Sequence, residues 1–474
     1  MLDSDGVVDI GHLAVGGWHA AADRCPKKMD YGPCAGVGTD GSCEVPGFGA
    51  CSFVQVDAAD WPYAATLAAG PLAAARPEPP AAGRQPAVAA FLAAAGSRPV
   101  VVADLPAEPL SAASLRASAA ALAGVADACL LGDHGGARVQ FPPSYRARLL
   151  AEEGVPAWVG INCRDRNRVA IEGEIAACVD AGAVGVHCVT GDHSALGHRP
   201  EARAVFDLDS VGVVRRVAAA AARSGGALCS VAHAPAAPPT DRRLPRLLTK
   251  IDAGADVVFV DHCGGPGPVA EAVAELRAAG FAGLVLVCVP VVTSTASAAV
   301  IASFATGRLP DGYLERITGT WAARAFTTAN ATPAVPTPNG TPPGRGASGT
   351  PAADRTADGA PADRAADPAP ADRGADGGPA DRAANGAWPT IPAAEAAEIE
   401  AAGIAEGTEL AERMLEIPGV DGVNLSGGAP PGQEAALAAA MAEITRRVLG
   451  VAPARSRRQA RHPVGASRTA VGPA

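Results

Sequence analysis

The sequence predicts an α/β fold, a (β/α)8 TIM barrel, with a small N-terminal cysteine-rich metal-binding domain and a disordered insert before the eighth βα unit. Three observations predict it. Short, nearly continuous apolar runs alternate with Ala-rich helical stretches from residue 98 onward, as strands buried on both faces do. Several helical stretches close on Ala-Gly just before the next apolar run, a helix C-terminus signature. Seven such units precede a break and one follows it. Repeated βα units imply a parallel sheet, and eight of them imply closure. An open doubly wound sheet is the alternative, but the G-x-G-x-x-G that would favour it is missing after the first strand.

In chain order, residues 1–60 are rich in Gly and Cys with little periodicity, and 61–97 hold the Pro-rich linker "AAARPEPPAAGRQP". Strands 1–7 fall within 98–327: "RPVVVAD", "VADACLLG", "PAWVGIN", "AVGVHCV", "ALCSVAH", "ADVVFVD" and "GLVLVCVP". Residues 328–390 repeat "ADR" among Pro and Gly and are expected to be disordered. Residues 391–450 resume with the helical "GIAEGTELAERMLEI", the strand-like "PGVDGVNLSG" and the amphipathic "QEAALAAAMAEITRRVLG", and 451–474 form a basic tail expected to be disordered.

With 474 residues, 48% of them hydrophobic, the chain can build a large core. A net charge of −10 argues against a general nucleic-acid binder. No apolar run reaches about 18 residues, so no membrane span is expected. The opening "MLDSDGVVDIGH" lacks the basic and apolar regions of a secretory signal. A cytoplasmic location with reduced cysteines follows as an expectation. Cys129, Cys188, Cys229 and Cys288 lie in strand-like runs and read as small buried hydrophobes.

Active sites of such barrels lie at the C-terminal ends of the strands. Those ends carry Asp104, Asp133 with His134, "NCRDRN" (162–167), "VTGDHSALGHRPEA" (189–202), His233, Asp261 with His262, and Asn424. Asp104, Asp133, Asp192 and Asp261 suit proton transfer or the holding of a nitrogen heterocycle. Each could equally cap the helix that follows it. Gly191 before Asp192 would let the backbone approach a ligand. The "NCRDRN" charges could equally pair with one another, and His187 reads as barrel wall, whereas His233 and His262 are rim candidates.

"INCRDRN", "VTGD", "LGHRPEARAVFDLDS" and "LLTKIDAGAD" follow one another at the right strand ends. Together they resemble the methylenetetrahydrofolate reductase family over about 98–327 and 391–450. The resemblance implies an oxidoreductase of one-carbon and methionine metabolism. It would reduce 5,10-methylenetetrahydrofolate to 5-methyltetrahydrofolate with FAD, and with NAD(P)H or a redox partner protein as donor. It makes Asp104 the acid that opens the substrate ring and Asp192 its catalytic companion near flavin and pterin. Thr190, Gly191, Asp192, His233 and Lys250 would contact the cofactor, with Lys250 at the flavin phosphate, and Asp192 and Asp261 would contact the folate. The chain departs from the family at Gly160, where His is usual, at "AHAPAAPP" after strand 5, and at Asp261, where Gln is usual. The alternative is a catalytically altered folate-binding or methyltransferase-associated barrel. A homo-oligomer is a further expectation.

Cys25, Cys34, Cys43 and Cys51 crowd one short run, and Gly32, Gly36, Gly38 and Gly41 supply turns between them. Four thiolates can close one site around zinc or an iron–sulfur cluster (4Fe-4S), although C-x2-C spacing is absent. The run resembles a cysteine-rich module that accompanies some methylenetetrahydrofolate reductases, which implies a docking or redox accessory.

Overall fold

The computed structural model describes residues 17–30, 32–54, 56–57, 83–134, 137–302, 307–319 and 392–450. The expected disordered insert (328–390) and basic tail (451–474) lie outside the described residues, as does most of the 61–97 segment.

Eight parallel strands close into a barrel in sequence order. They are β1 Val100–Asp104, β2 Ala128–Leu131, β3 Ala157–Ile161, β4 Gly185–Cys188, β5 Leu228–His233, β6 Val257–Val260, β7 Leu284–Pro290 and β8 Gly422–Ser426. The strand after the insert completes the ring: β8 pairs with β7 at Cys288↔Asn424 and with β1 at Val102↔Asn424. Gly422 is required at that closure, since a Cβ there would lie 2.2 Å from the Val100 carbonyl oxygen.

The near-continuous apolar runs separate into two populations, because successive strand side chains point to opposite faces. Val101, Ala103, Cys129, Val159, Ile161, Val186, Cys229, Val258 and Val423 pack outward against the helical ring. Val100, Val102, Ala128, Leu130, Trp158, Val257, Phe259 and Leu286 fill the interior. The ring comprises α3 Ala112–Leu122, α4 Pro143–Glu152, α5 Arg168–Asp180, α6 Ser210–Ser224, α7 Arg243–Asp252, α8 Pro266–Ala278, α9 Thr295–Ala302, α10 Tyr313–Thr318, α11 Ala393–Leu415 and α12 Glu434–Gly450, after α1 Gly17–Arg24 and α2 Pro86–Ser97 earlier in the chain. Local chemistry starts several of them: Ser111, Asn167 and Asp209 accept backbone N–H groups at the N-caps of α3, α5 and α6.

The linker reading of 61–97 is corrected at its end, where α2 forms. Pro at its first turn and an Ala-rich run favour a helix. Its Phe91 and Ala95 join the interior cluster, with Phe91 edge-on to Trp158 at 5.2 Å between ring centroids. The helix thus plugs the end of the barrel where the strands begin. Polar chemistry is left to the opposite end.

The cysteine-rich module has its own small core of Trp18, Met29, Val37 and Phe53. Arg242 and Arg243, after β5, hold it against the barrel. Arg242 donates to the carbonyls of Phe53 and Val56, and Arg243 to those of Pro33 and Cys34. No helix among the described residues is long and apolar enough to cross a membrane.

Candidate active site at the barrel mouth

Asp104 ends β1 on the inward face of the barrel, two residues beyond Val102. Its Oδ1 accepts from Asn424 Nδ2 at 3.1 Å, and the same amide lies 3.9 Å from Cys288 Sγ. Burial pushes the Asp104 carboxyl up to about 7; the Asn424 bond opposes the rise and the charge of Asp261 adds to it. Burial and the charges of Asp261 and Asp104 push the Cys288 thiol well above its ordinary range, so it is neutral. Asn424 Oδ1 is buried without a hydrogen-bond partner among the described residues. Asp104, Asp261, Cys288 and Asn424 therefore form one interacting polar group drawn from four strand ends. Beside it, His262 Nε2 meets Ser426 Oγ at 2.7 Å, and the Asp261 carboxylate accepts the His262 backbone N–H at 2.8 Å.

Deeper in the barrel a polar thread crosses the apolar filling. Trp158 Nε1 donates to Ser230 Oγ at 2.8 Å, and His187 Nδ1 lies 3.0 Å from the same hydroxyl. Burial drives His187 down to about 3, which keeps the ring neutral. His187 is wall, as the sequence suggests.

On the other side of the mouth, Asp133 is a structural knot. It accepts from Asn162 Nδ2 at 2.7 Å, from Arg164 Nη1 at 3.1 Å and from Gln140 Nε2 at 2.5 Å. Arg164, fully buried, also binds Asp165, so the "NCRDRN" charges pair locally. Gly191 sits at φ +84°, and a Cβ there would approach Asn162 Cβ to 2.8 Å. Both facts require glycine. The tight turn projects Asp192 outward, its side chain 58% exposed, 3.7 Å from Arg138 Nη1. The next backbone N–H, of His193, donates to Glu44 of the cysteine-rich module at 3.0 Å, and Glu44 also pairs with Lys27 at 2.8 Å. The module therefore borders the mouth. Arg138, Cys288, Lys27 and Glu44 were not singled out as site residues from the sequence, and Asn424 was placed at the end of strand 8 without a role. Cys288 could have been, by following the inward phase of β7 towards its end. Nothing local marks the other three.

Two of the residues assigned to flavin, Lys250 and Thr190, are engaged by the protein itself. Lys250 Nζ donates to the Ala232 carbonyl at 2.9 Å, and burial, with Arg246 adding, lowers it to about 7. Thr190 Oγ1 accepts the Ser210 N–H that begins α6. His233 is buried and held neutral, driven by burial to about 3. A buried, weakened Lys250 does not offer the exposed cation that a flavin phosphate needs, so this set does not fit FAD.

Cys25, Cys34, Cys43 and Cys51 do converge, lining one small cavity with Lys27 and Phe53. Among the described residues, however, no group of three or more His, Cys, Asp or Glu is placed to hold a metal ion. Burial raises the Cys25 and Cys43 thiols and takes Cys51 to about 11, the neutral form. The expectation of zinc or an iron–sulfur cluster at these four thiols is corrected accordingly.

No family model matches the chain, and no curated protein matches it. Among solved structures it is similar to a 2,3-dimethylmalate lyase described as a PEP mutase/isocitrate lyase superfamily member, at 14% identity and TM-score 0.34 over 48% of this chain and 73% of that one. It is also similar to oxaloacetate acetylhydrolase with the inhibitor 3,3-difluorooxalacetate, at 16% identity and TM-score 0.32 over 44% of this chain and 73% of that one. A third is a putative lyase/mutase from Burkholderia cenocepacia J2315, at 19% identity and TM-score 0.31 over 52% of this chain and 93% of that one. At these identities and scores the likeness transfers no activity to this chain. With no family model and no curated protein matching, and with Lys250 buried against the Ala232 carbonyl, the methylenetetrahydrofolate reductase resemblance is corrected. With it go the folate reductase activity, FAD, the NAD(P)H or redox donor, the one-carbon and methionine role, and the altered folate or methyltransferase alternative.

Proposed function

We propose that the chain is an enzyme that moves a proton to or from a small polar molecule at the barrel mouth. Asp104 is its general acid–base. One observation carries the reading: an inward-facing carboxyl at the C-terminal end of β1 titrates near 7 beside a second carboxyl, Asp261. A catalytic group works best when its pKa lies near the working pH, because it is then partly protonated and partly free. Asp104 carries the proton because burial disfavours its charged form, and the charge of Asp261 adds to the effect. Asn424 orients Asp104 through Oδ1 and leaves its own Oδ1 for a donor on the substrate. Cys288 is a neutral, small wall residue in this reading. The reading places the chain in the cytoplasm, where its eleven cysteines would stay reduced.

The test begins with a thermal-shift screen of small polar molecules against the full chain, followed by NMR of each binder in D2O for deuterium uptake or turnover. Wild type should show a rate limb near pH 7. Asp104→Asn should lower the rate about 100-fold or more with binding retained. An Asp104→Asn chain with the same rate and the same pH limb would sink the assignment.

A further inference from the structure

Arg138 stands apart from the other buried arginines of the mouth. Arg146 donates through both terminal nitrogens to the Gly132 carbonyl, at 3.0 Å each. Arg164 is held by Asp133 and Asp165. The Arg138 side chain is only 5% exposed, yet its Nε and Nη1 are buried without a hydrogen-bond partner among the described residues. Its nearest carboxylate oxygen, Asp192 Oδ2, lies 3.7 Å from Nη1, beyond hydrogen-bond reach. A guanidinium keeps its charge at any working pH and offers five donors. Burying that charge without an anion is strongly unfavourable. His134, His193 and His198 nearby offer no anion, and the carboxylates that act on the first two, Asp133 and Glu44, are paired with Arg164 and Lys27.

The fold nevertheless makes room for this side chain. A Cβ at Gly197 would lie 2.3 Å from Arg138 Cγ and 2.4 Å from its Nε. The Arg138 backbone N–H donates to His198 Nδ1 at 3.0 Å, which ties the loop after β2 to the loop after β4. Two loops at the functional end of the barrel are thus shaped around a cation whose only ion pair among the described residues is the long one to Asp192, and whose Nε and Nη1 find no hydrogen-bond acceptor there.

We propose that Arg138 is the receptor for an oxyanion, a carboxylate or phosphate group, carried by the molecule that binds at the mouth. Asp192 is the internal competitor: its exposed carboxylate swings aside when the ligand's anion arrives. The assignment deepens the proton-transfer reading by giving the substrate an anionic handle on the same face as Asp104.

The full chain is titrated at pH 7 with inorganic phosphate and, separately, with acetate, following melting temperature and the 31P line width of phosphate. Wild type should show saturable stabilisation by at least one of the two, and which one distinguishes a phosphoryl from a carboxyl handle. Arg138→Met should weaken binding 10-fold or more, Arg138→Lys should weaken it less, and Asp192→Asn should tighten it. If Arg138→Met fails to fold, the Lys and Asn variants carry the comparison. Equal affinity in wild type and Arg138→Lys with no gain in Asp192→Asn would overturn the proposal. So would absence of binding by both anions, which would leave Arg138 as the structural partner of Asp192. Because the probes are simple anions, failure here leaves the Asp104 reading standing, and absence of turnover leaves anion binding standing.

Discussion

Asp104 binds its proton more tightly in the folded chain than in the unfolded one, because its carboxyl rises from 3.8 to about 7. Stability from this site is complete below about pH 4 and is lost as pH climbs through 7. Lys250 acts in the opposite sense. Its amine falls from 10.5 to about 7, so the fold binds that proton less tightly than the unfolded chain does. Its penalty is full below about pH 7 and is relieved as pH rises towards 10.5. Asp104→Asn should therefore flatten the fall in stability between pH 4 and 7 and raise stability at pH 8, by at most about 4 kcal/mol at 1.36 kcal/mol per unit. Lys250→Met should stabilise at pH 6 by about 2–4 kcal/mol, the lost bond to Ala232 returning about 1 kcal/mol. Urea unfolding of the three chains across pH 4.5–9 checks both; a Lys250→Met chain less stable than wild type at pH 6 would show that the amine is better paired than its single carbonyl contact implies. The position of Asp104 was legible in the sequence, since it ends a strand-like run. The environment that shifts its proton was not. Asn424 is 320 residues away, and Cys288 and Asp261 arrive from two further strands.

The strands were legible because burial on both faces leaves an unmistakable composition, and the helices between them were marked by their caps. The element that escaped notice is α2. Its "PAVAAFLAAAGS" follows a Pro-rich stretch and its apolar residues lack a strong one-faced pattern, so it read as linker. Structure gives it a specific task, since Phe91 meets Trp158 and the Trp158 ring in turn meets Phe259 at 5.5 Å between centroids. This aromatic column fills the closed end of the barrel and supports the Trp158–Ser230–His187 thread above it. Phe91→Ala should cost about 3–5 kcal/mol, because a cavity opens where the interior cannot collapse. The fluorescence of the chain should shift as Trp158 gains freedom, while the Asp104 titration at the opposite end stays in place. A loss under 1 kcal/mol would mean that α2 rests on the barrel without plugging it.

At the scale of the whole molecule, the cysteine-rich run and the barrel meet through contacts that no sequence pattern announces. Arg243 reaches the Pro33 and Cys34 carbonyls across more than 200 positions, and Arg242 reaches Phe53 and Val56 across nearly as many. The convergence of the four cysteines could be read from their crowding. Their docking could not, because backbone carbonyls look alike in a sequence and the two arginines sit in an unremarkable "TDRRLPRLL". Both guanidinium groups are buried, and each satisfies carbonyls that water no longer reaches. Removing one leaves those acceptors unpaired at about 1–3 kcal/mol. The module has only a small core of its own, so that loss is large for it and small for the barrel. Arg243→Met should therefore raise hydrogen–deuterium exchange throughout residues 25–56 and at His193, whose N–H is held by Glu44. Exchange in β1–β8 should be unchanged. The same variant should ease anion binding at Arg138, since Glu44 would no longer fix the turn that presents the competing Asp192. If exchange in the module rises and exchange at His193 does not, the module is a neighbour of the mouth and not a part of it.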